Sequence, residues 1–282
     1  MLAFIFRKAG LQNILSHLGT MDLRYFFLSS LLYVAIVAIA AVRWSFLLES
    51  RYSMRKLFSL YFIGSFFNHI LPGSIGGDTV KMYYLYRDTK KGGSSFGSVF
   101  LDRYIGLFSL LTMGLTAGII AFDELKAVRM QWVIPLLFTA NIVGSAIFFG
   151  FRIGKRFSVV ADFYDYFHTY LRRKMVLVKV FILSVILQVL SIGMIYLIAL
   201  GLGQQLSFTA LFVFVPIIVT VTTLPISISG LGVRESAFVL LFGLVGVPAQ
   251  ESASISFLWF LSIATTSLIG LVEYVRFRRE SS

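Results

Sequence analysis

Four ionisable residues stand beside two interruptions of an otherwise apolar chain. Asp78 and Lys81 follow Leu71-Pro72-Gly73-Ser74-Ile75-Gly76-Gly77, and Arg234 and Glu235 follow Leu224-Pro225-Ile226-Ser227-Ile228-Ser229-Gly230-Leu231-Gly232-Val233. The chemistry these types offer is anion binding. A helix starting near Gly77-Asp78, and another near Gly232-Val233, would each present unpaired N–H groups and about half a positive charge. Gly73, Gly76, Gly77, Gly230 and Gly232 have no Cβ to hold a bound anion away from the backbone. Lys81 and Arg234 add full charges within a turn of those ends, and an Arg can grip a phosphate through two parallel hydrogen bonds. An ionised group at the centre of a bilayer costs about 2.5–3.5 kcal/mol on insertion scales. Four of them near two breaks therefore imply mutual pairing, water or a ligand. Asn68 and His69 precede the first break, where they are placed to cap freed backbone groups or to touch a ligand. Asp102-Arg103 reads equally as a cavity pair or as an interfacial pair with Arg103 snorkelling to headgroups.

The elements that must position these residues are membrane helices. Of the 282 residues, 58% are hydrophobic and 13% charged, whereas a soluble domain has about 25% charged. The 25 Lys and Arg outnumber 13 Asp and Glu, but they gather at the ends of apolar runs, which argues for membrane flanks and against nucleic acid. The chain has no cysteine, which excludes disulfides, thiolate nucleophiles and Cys-based metal sites. Met1–Phe6 is too short for a signal peptide and is followed, not preceded, by Arg7-Lys8. His17, His69 and His168 are too dispersed for a metal site. No Walker motif or nucleophile–base arrangement is present, so neither a cofactor nor an enzymatic activity is expected.

Residues 7–24 are weakly amphipathic, with Leu11, Ile14, Leu15 and Leu18 at helical spacing. Five spans are expected at Tyr25–Val42, Tyr104–Phe122, Met130–Phe151, about 180–201 and Ser252–Val272. A Gly-Gly-Ser-Ser turn (92–95) precedes the second. Between the spans lie two broken segments, Leu57–Ile70 with Val80–Tyr86 and 207–224 with the stretch after Glu235. Leu57–Ile70, Val80–Tyr86 and the stretch after Glu235 are too short for an ordinary crossing, and 207–224 is just long enough for one. In the basic loop Arg152–Lys179, Phe157, Val160, Tyr164, Phe167 and Leu171 recur at steps of three and four, the pattern of a helix lying on the membrane surface. Asp162 and Asp165 fall on its wet face. Trp44 and Trp132 read as interface anchors, and Trp259 as packing.

If the first span runs outside to inside and each broken segment returns to the face it entered, the inside loops hold seventeen Lys and Arg, from Arg43 to Arg279. The outside holds five: Arg7, Lys8, Arg24, Lys126 and Arg129. That satisfies the positive-inside rule, with loop 152–179 and the C-terminus cytoplasmic in a multi-pass cell-membrane protein. The same topology makes 1–282 one transmembrane domain, an all-α bundle with an inverted repeat. A first repeat at about 25–122 and a second at about 180–276 flank the connecting span 130–151, and the two Leu-Pro breaks are re-entrant hairpin tips at matching positions. The alternative is that each break is a surface turn between ordinary spans, Asp78 and Glu235 then being first-turn acids that complement a helix dipole.

Asn68, Leu71-Pro72-Gly73, Gly76-Gly77-Asp78, Ser98-Val99, Asp102-Arg103, Gly106-Leu107, Gly230-Leu231-Gly232 and Arg234-Glu235 together resemble the flippase-like membrane family that includes the transmembrane domain of lysyl-phosphatidylglycerol synthase. The resemblance runs from about residue 25 to the C-terminus. It implies a helical membrane domain that moves an aminoacylated or other phosphate-bearing lipid, or a polyprenyl-phosphate-linked one, between leaflets. The soluble aminoacyl-transfer domain of the synthase has no counterpart here, so synthesis of the lipid is not expected. Many members carry a further N-terminal span, of which only Met1–Phe6 stands as a remnant. Two other functions fit the residues: a secondary carrier of a small soluble anion, and a non-transporting partner of a lipid-modifying enzyme that docks through loop 152–179. Phosphate-headgroup lipids are the expected partners, and association into homo-oligomers is compatible with the sequence.

Overall fold

The structure is a computed structural model that describes residues 21–70, 76–150, 158–223, 230 and 232–279. Eleven helices and no strand occur among them: α1 Leu23–Ser45, α2 Met54–Ile70, α3 Gly76–Thr89, α4 Gly92–Ile120, α5 Phe122–Ala127, α6 Val133–Gly150, α7 Ser158–Arg172, α8 Lys174–Gly201, α9 Phe208–Thr223, α10 Val233–Gly243 and α11 Ala249–Arg279. Five of these, α1, α4, α6, α8 and α11, are long and apolar enough to cross a membrane. They are the five spans expected from the sequence, and the protein is a multi-pass helical membrane bundle. Both Leu-Pro segments, the 7–18 stretch and Phe157 lie outside the described residues.

Several spans outrun their apolar cores. The second begins at Gly92, twelve residues before Tyr104, so the expected Gly-Gly-Ser-Ser turn is the first turn of α4 instead. Those glycines serve close packing. A Cβ on Gly93 would fall 2.2 Å from Cβ of Asp162, and one on Gly97 would fall 2.5 Å from the Tyr166 ring. The amphipathic helix α7 thus lies directly on α4. Its buried face is Phe163, Tyr164, Tyr166, Phe167 and Tyr170, while Leu171, expected in the stripe, is 45% exposed. Tyr166 also donates to the carbonyl of Leu47. Asp162 and Asp165 are exposed as expected.

Two apolar cores fill opposite ends of the bundle. One gathers Ala41, Trp44 and Leu47 of α1 with Leu57 and Leu60 of α2, Tyr84 and Leu85 of α3, the first half of α4, α7 and Val180. The other gathers the last part of α8 (Ile192–Ala199), α9, α10 and the start of α11, with Phe26 and Leu32 of α1 packed against it. Trp44 is fully buried in the first core, contrary to its reading as an interface anchor, because α1 continues to Ser45 and carries it inward. Trp132 is 62% exposed and Trp259 is buried.

Each short helix pair folds back on itself. Lys56 at the start of α2 lies 2.7 Å from Asp88 at the end of α3, so the two outer ends of that pair share one end of the bundle. In the second pair Phe214 of α9 and Phe242 of α10 meet edge to face with centroids 5.6 Å apart, within the opposite core.

Candidate functional site

The first hairpin is closed by its own side chains. Asn68, in the last turn of α2, accepts from the Gly77 N–H at 2.8 Å, which satisfies one of the orphan donors at the start of α3. Asn68→Ala should lower bundle stability by about 1–3 kcal/mol by stranding that N–H, measurable as a drop in melting temperature. Asp78, one residue on, is buried between two cations: Arg103 Nε donates to its Oδ2 at 2.7 Å, and Lys81 Nζ lies 3.2 Å from Oδ1. The Lys81 contact is an ion pair without hydrogen-bond alignment, since Oδ1 has no directed donor. The Lys81 ammonium is held instead over the Tyr61 ring, 4.1 Å from its centroid, with Trp44 at 5.4 Å. Such rings stabilise a desolvated cation by about 2 kcal/mol.

Asp102 is 2% exposed, in the middle of α4. Of the two readings of Asp102-Arg103, Asp102 fits the cavity one, because the helix starts early enough to carry it inside the bundle, while the Arg103 side chain stays 45% exposed. Asp102 accepts from Arg43 Nε at 2.9 Å and from the Tyr61 hydroxyl at 2.5 Å. Arg43 also donates from Nη1 to Ser184 at 2.9 Å. Arg43 was expected among the inside-loop charges, yet it is buried, with Nε and Nη1 paired to Asp102 and Ser184. Sequence reasoning missed Arg43, Tyr61, Ser184 and Gln188. A signal for the last two was present: Ser184, Gln188 and Ser191 form a polar stripe at helical spacing in a run with no charge.

At the second break Gly230 and Gly232 adopt φ of +73° and +82°, a region that other residues enter only with strain. Glu235 reaches back to accept the Gly232 N–H at 2.6 Å, half of a capping box. Its other oxygen pairs with Arg234 Nη2 at 2.6 Å. Arg234 also donates to Ser256 at 3.2 Å and lies 4.6 Å from the Phe260 ring centroid. The His69 ring sits 5.4 Å from the same Phe260, so α2 and α10, which lead into and out of the two breaks, meet at one side chain of α11.

This arrangement changes the expected chemistry. The Gly77 and Gly232 amides are bonded to Asn68 and Glu235 and are not open to an anion. Lys81 sits between Asp78 and the Tyr61 ring, and Arg234 is held by Glu235. Gly76 begins α3, and Gly73 lies outside the described residues. The accessible polar ground is a cavity of about 660 Å³ between α1, α4, α6, α8 and the end of α9. Arg43, Asp102, Arg103 and Gln188 form its floor, and Phe100, Tyr104, Phe148 and Phe149 line its walls. Arg43, Lys81 and Arg103 carry three positive charges against two on Asp78 and Asp102, while Arg234 and Glu235 balance each other. The Arg103 side chain, 45% exposed, reaches the cavity. Asn141 and Ser145 of α6 face the same space, and the Asn141 side-chain oxygen has no partner there.

A helical membrane bundle with this polar centre matches the family described as "lysylphosphatidylglycerol synthase TM region" over residues 1–270. The chain belongs to that family. It is similar to a UPF0104 membrane protein of Pyrococcus horikoshii, 24% identical over 309 aligned residues that cover 96% of this chain and 92% of the relative. A UPF0104 membrane protein of Methanocaldococcus jannaschii is 23% identical over 96% of this chain and 90% of its own length. No solved structure matches. Family membership fits the membrane spans.

Proposed function

We propose that this protein is a carrier, not an enzyme, that moves a phosphate-bearing anionic lipid between the leaflets of the cell membrane. The observation behind this reading is the cavity with one excess positive charge beneath it and aromatic walls above. An unbalanced charge inside a bilayer is costly, and a phosphate monoanion arriving beside Arg103 would neutralise it. The chains need not leave the bilayer. Helix α6 meets α4 and α7 through Phe138, Phe148 and Phe149, and only Ile134 of it is buried, so the gap between α6 and α8 offers a sideways passage from lipid to cavity. The paired hairpins support alternating access: each has both outer ends at one end of the bundle, as re-entry from opposite faces requires. Their rocking around the Phe260 contact would expose the cavity to one leaflet and then the other. With the basic loops cytoplasmic, α7 and the C-terminus lie on the inner face.

The test is a leaflet-resolved assay in proteoliposomes with labelled phosphatidylglycerol. Arg103→Gln should slow lipid movement about 10- to 100-fold, the worth of a hydrogen bond to a charged group, with the melting temperature recorded alongside. An unchanged rate in a folded variant removes Arg103 from the site. Uptake of soluble phosphate without lipid movement would transfer the same cavity to a soluble-anion carrier.

A further inference from the structure

A second concave polar site lies away from this cavity, at the end of the bundle where α2 starts and α3 and α11 finish. It measures about 360 Å³ and is lined by Arg55, Lys56, Arg87 and Arg276 with Ser53 and Ser59. The cations come from three helices. Lys56 is paired with Asp88 at 2.7 Å and Arg276 with Glu273 at 3.3 Å, and Ser59 donates to the other oxygen of Glu273 at 2.6 Å. Two carboxylates therefore face four cations. A basic last turn would suit the α3 dipole through Arg87 alone, and a cytoplasmic flank needs no recess. Neither accounts for Arg55 and Arg276 turning from other helices toward the same space. Lys56 further lies 5.0 Å from the Tyr52 ring centroid and 6.0 Å from Phe277, so the recess is rimmed by rings of the kind found at headgroup depth.

We propose that this recess binds a phosphate group at the basic face of the membrane, most directly the headgroup of an anionic lipid, and so ties the base of the α2–α3 hairpin to α11. Basic pockets between membrane helices on that side are where anionic headgroups dock. The inference is independent of the transport reading, since none of its residues lines the central cavity.

Native mass spectrometry of the full chain from nanodiscs, titrated with dioleoylphosphatidylglycerol against dioleoylphosphatidylcholine, tests it, with pyrophosphate as the soluble probe. Retention of phosphatidylglycerol should weaken about 30-fold in Arg55→Gln/Arg87→Gln, two interfacial charges being lost. Arg172→Gln/Arg173→Gln, the same charge change at the end of α7, should leave it intact. Should the first double variant not fold, Arg55→Gln alone, at an exposed position, should weaken retention about fivefold. Pyrophosphate binding that follows the Arg55 and Arg87 variants while lipid retention does not would keep the phosphate site and assign it to a soluble ligand. If neither probe distinguishes these variants from the α7 control, the site does not exist.

Discussion

Asp102→Asn should destabilise the bundle by about 3–5 kcal/mol, the usual result of removing one partner from a buried ion pair. Arg43 is 7% exposed and would lose its counter-charge, and because the asparagine keeps a single acceptor oxygen, either Arg43 Nε or the Tyr61 hydroxyl would lose its acceptor. Thermal unfolding in nanodiscs, followed by circular dichroism, reads the loss. The sharper measurement is the rescue. Arg43→Met, Tyr61→Phe and Asp102→Leu together remove the ion pair and its Tyr61 partner, Ser184 keeping its bond to the Val180 carbonyl, and apolar replacement of a buried pair is often neutral or stabilising. The triple variant should therefore melt close to the parent protein. It should transport lipid more slowly, because the cavity floor would keep only Arg103 and Gln188 of its four polar residues. A triple variant that is both stable and fully active would reduce the Arg43–Asp102 pair to scaffolding.

How much of this was legible beforehand depended on what each signal measures. Apolar run length located all five long helices, because a bilayer sets that length. It did not locate their ends. Gly92–Phe100 is too small and polar to read as span, yet it is helical because Gly93 and Gly97 let α7 settle on it. That missing stretch is also why Asp102 read equally as a cavity residue and as an interfacial one. The charge count treated Arg43 as a loop residue for a related reason: an Arg at the end of an apolar run looks the same whether it snorkels outward or turns inward. Only the partner decides, and Asp102 lies 59 residues away. The breaks were visible from Gly and Pro, but glycine alone could not say whether the freed amides wait for a ligand or are capped. Asn68 and Glu235 cap two of them. The proposed anion site then rests on the cavity floor, where residues with ordinary sequence surroundings converge.

Gly77→Ala carries the other large expected effect. A Cβ there would fall 1.8 Å from the Gly64 carbonyl oxygen and 2.9 Å from Cγ of Asn68. The first obstacle is backbone, which no rotamer change relieves, so α2 and α3 must separate. Overpacking typically costs about 1–3 kcal/mol, and here separation also stretches the Asn68 cap and shifts Asp78 against Arg103, whose Nε–Oδ2 contact is 2.7 Å. A loss at or above the top of that range is expected, together with loss of transport. Gly118→Ala is the control, since its Cβ would meet only Leu125 at 3.6 Å; it should melt within about 0.5 kcal/mol of the parent or slightly above it. The pair separates two accounts of the first break. If Gly77 serves close approach of two halves of one hairpin, alanine there abolishes folding or activity while alanine at 118 does neither. If the segment is only a turn between independent crossings, the helices can part without consequence and both variants should behave alike.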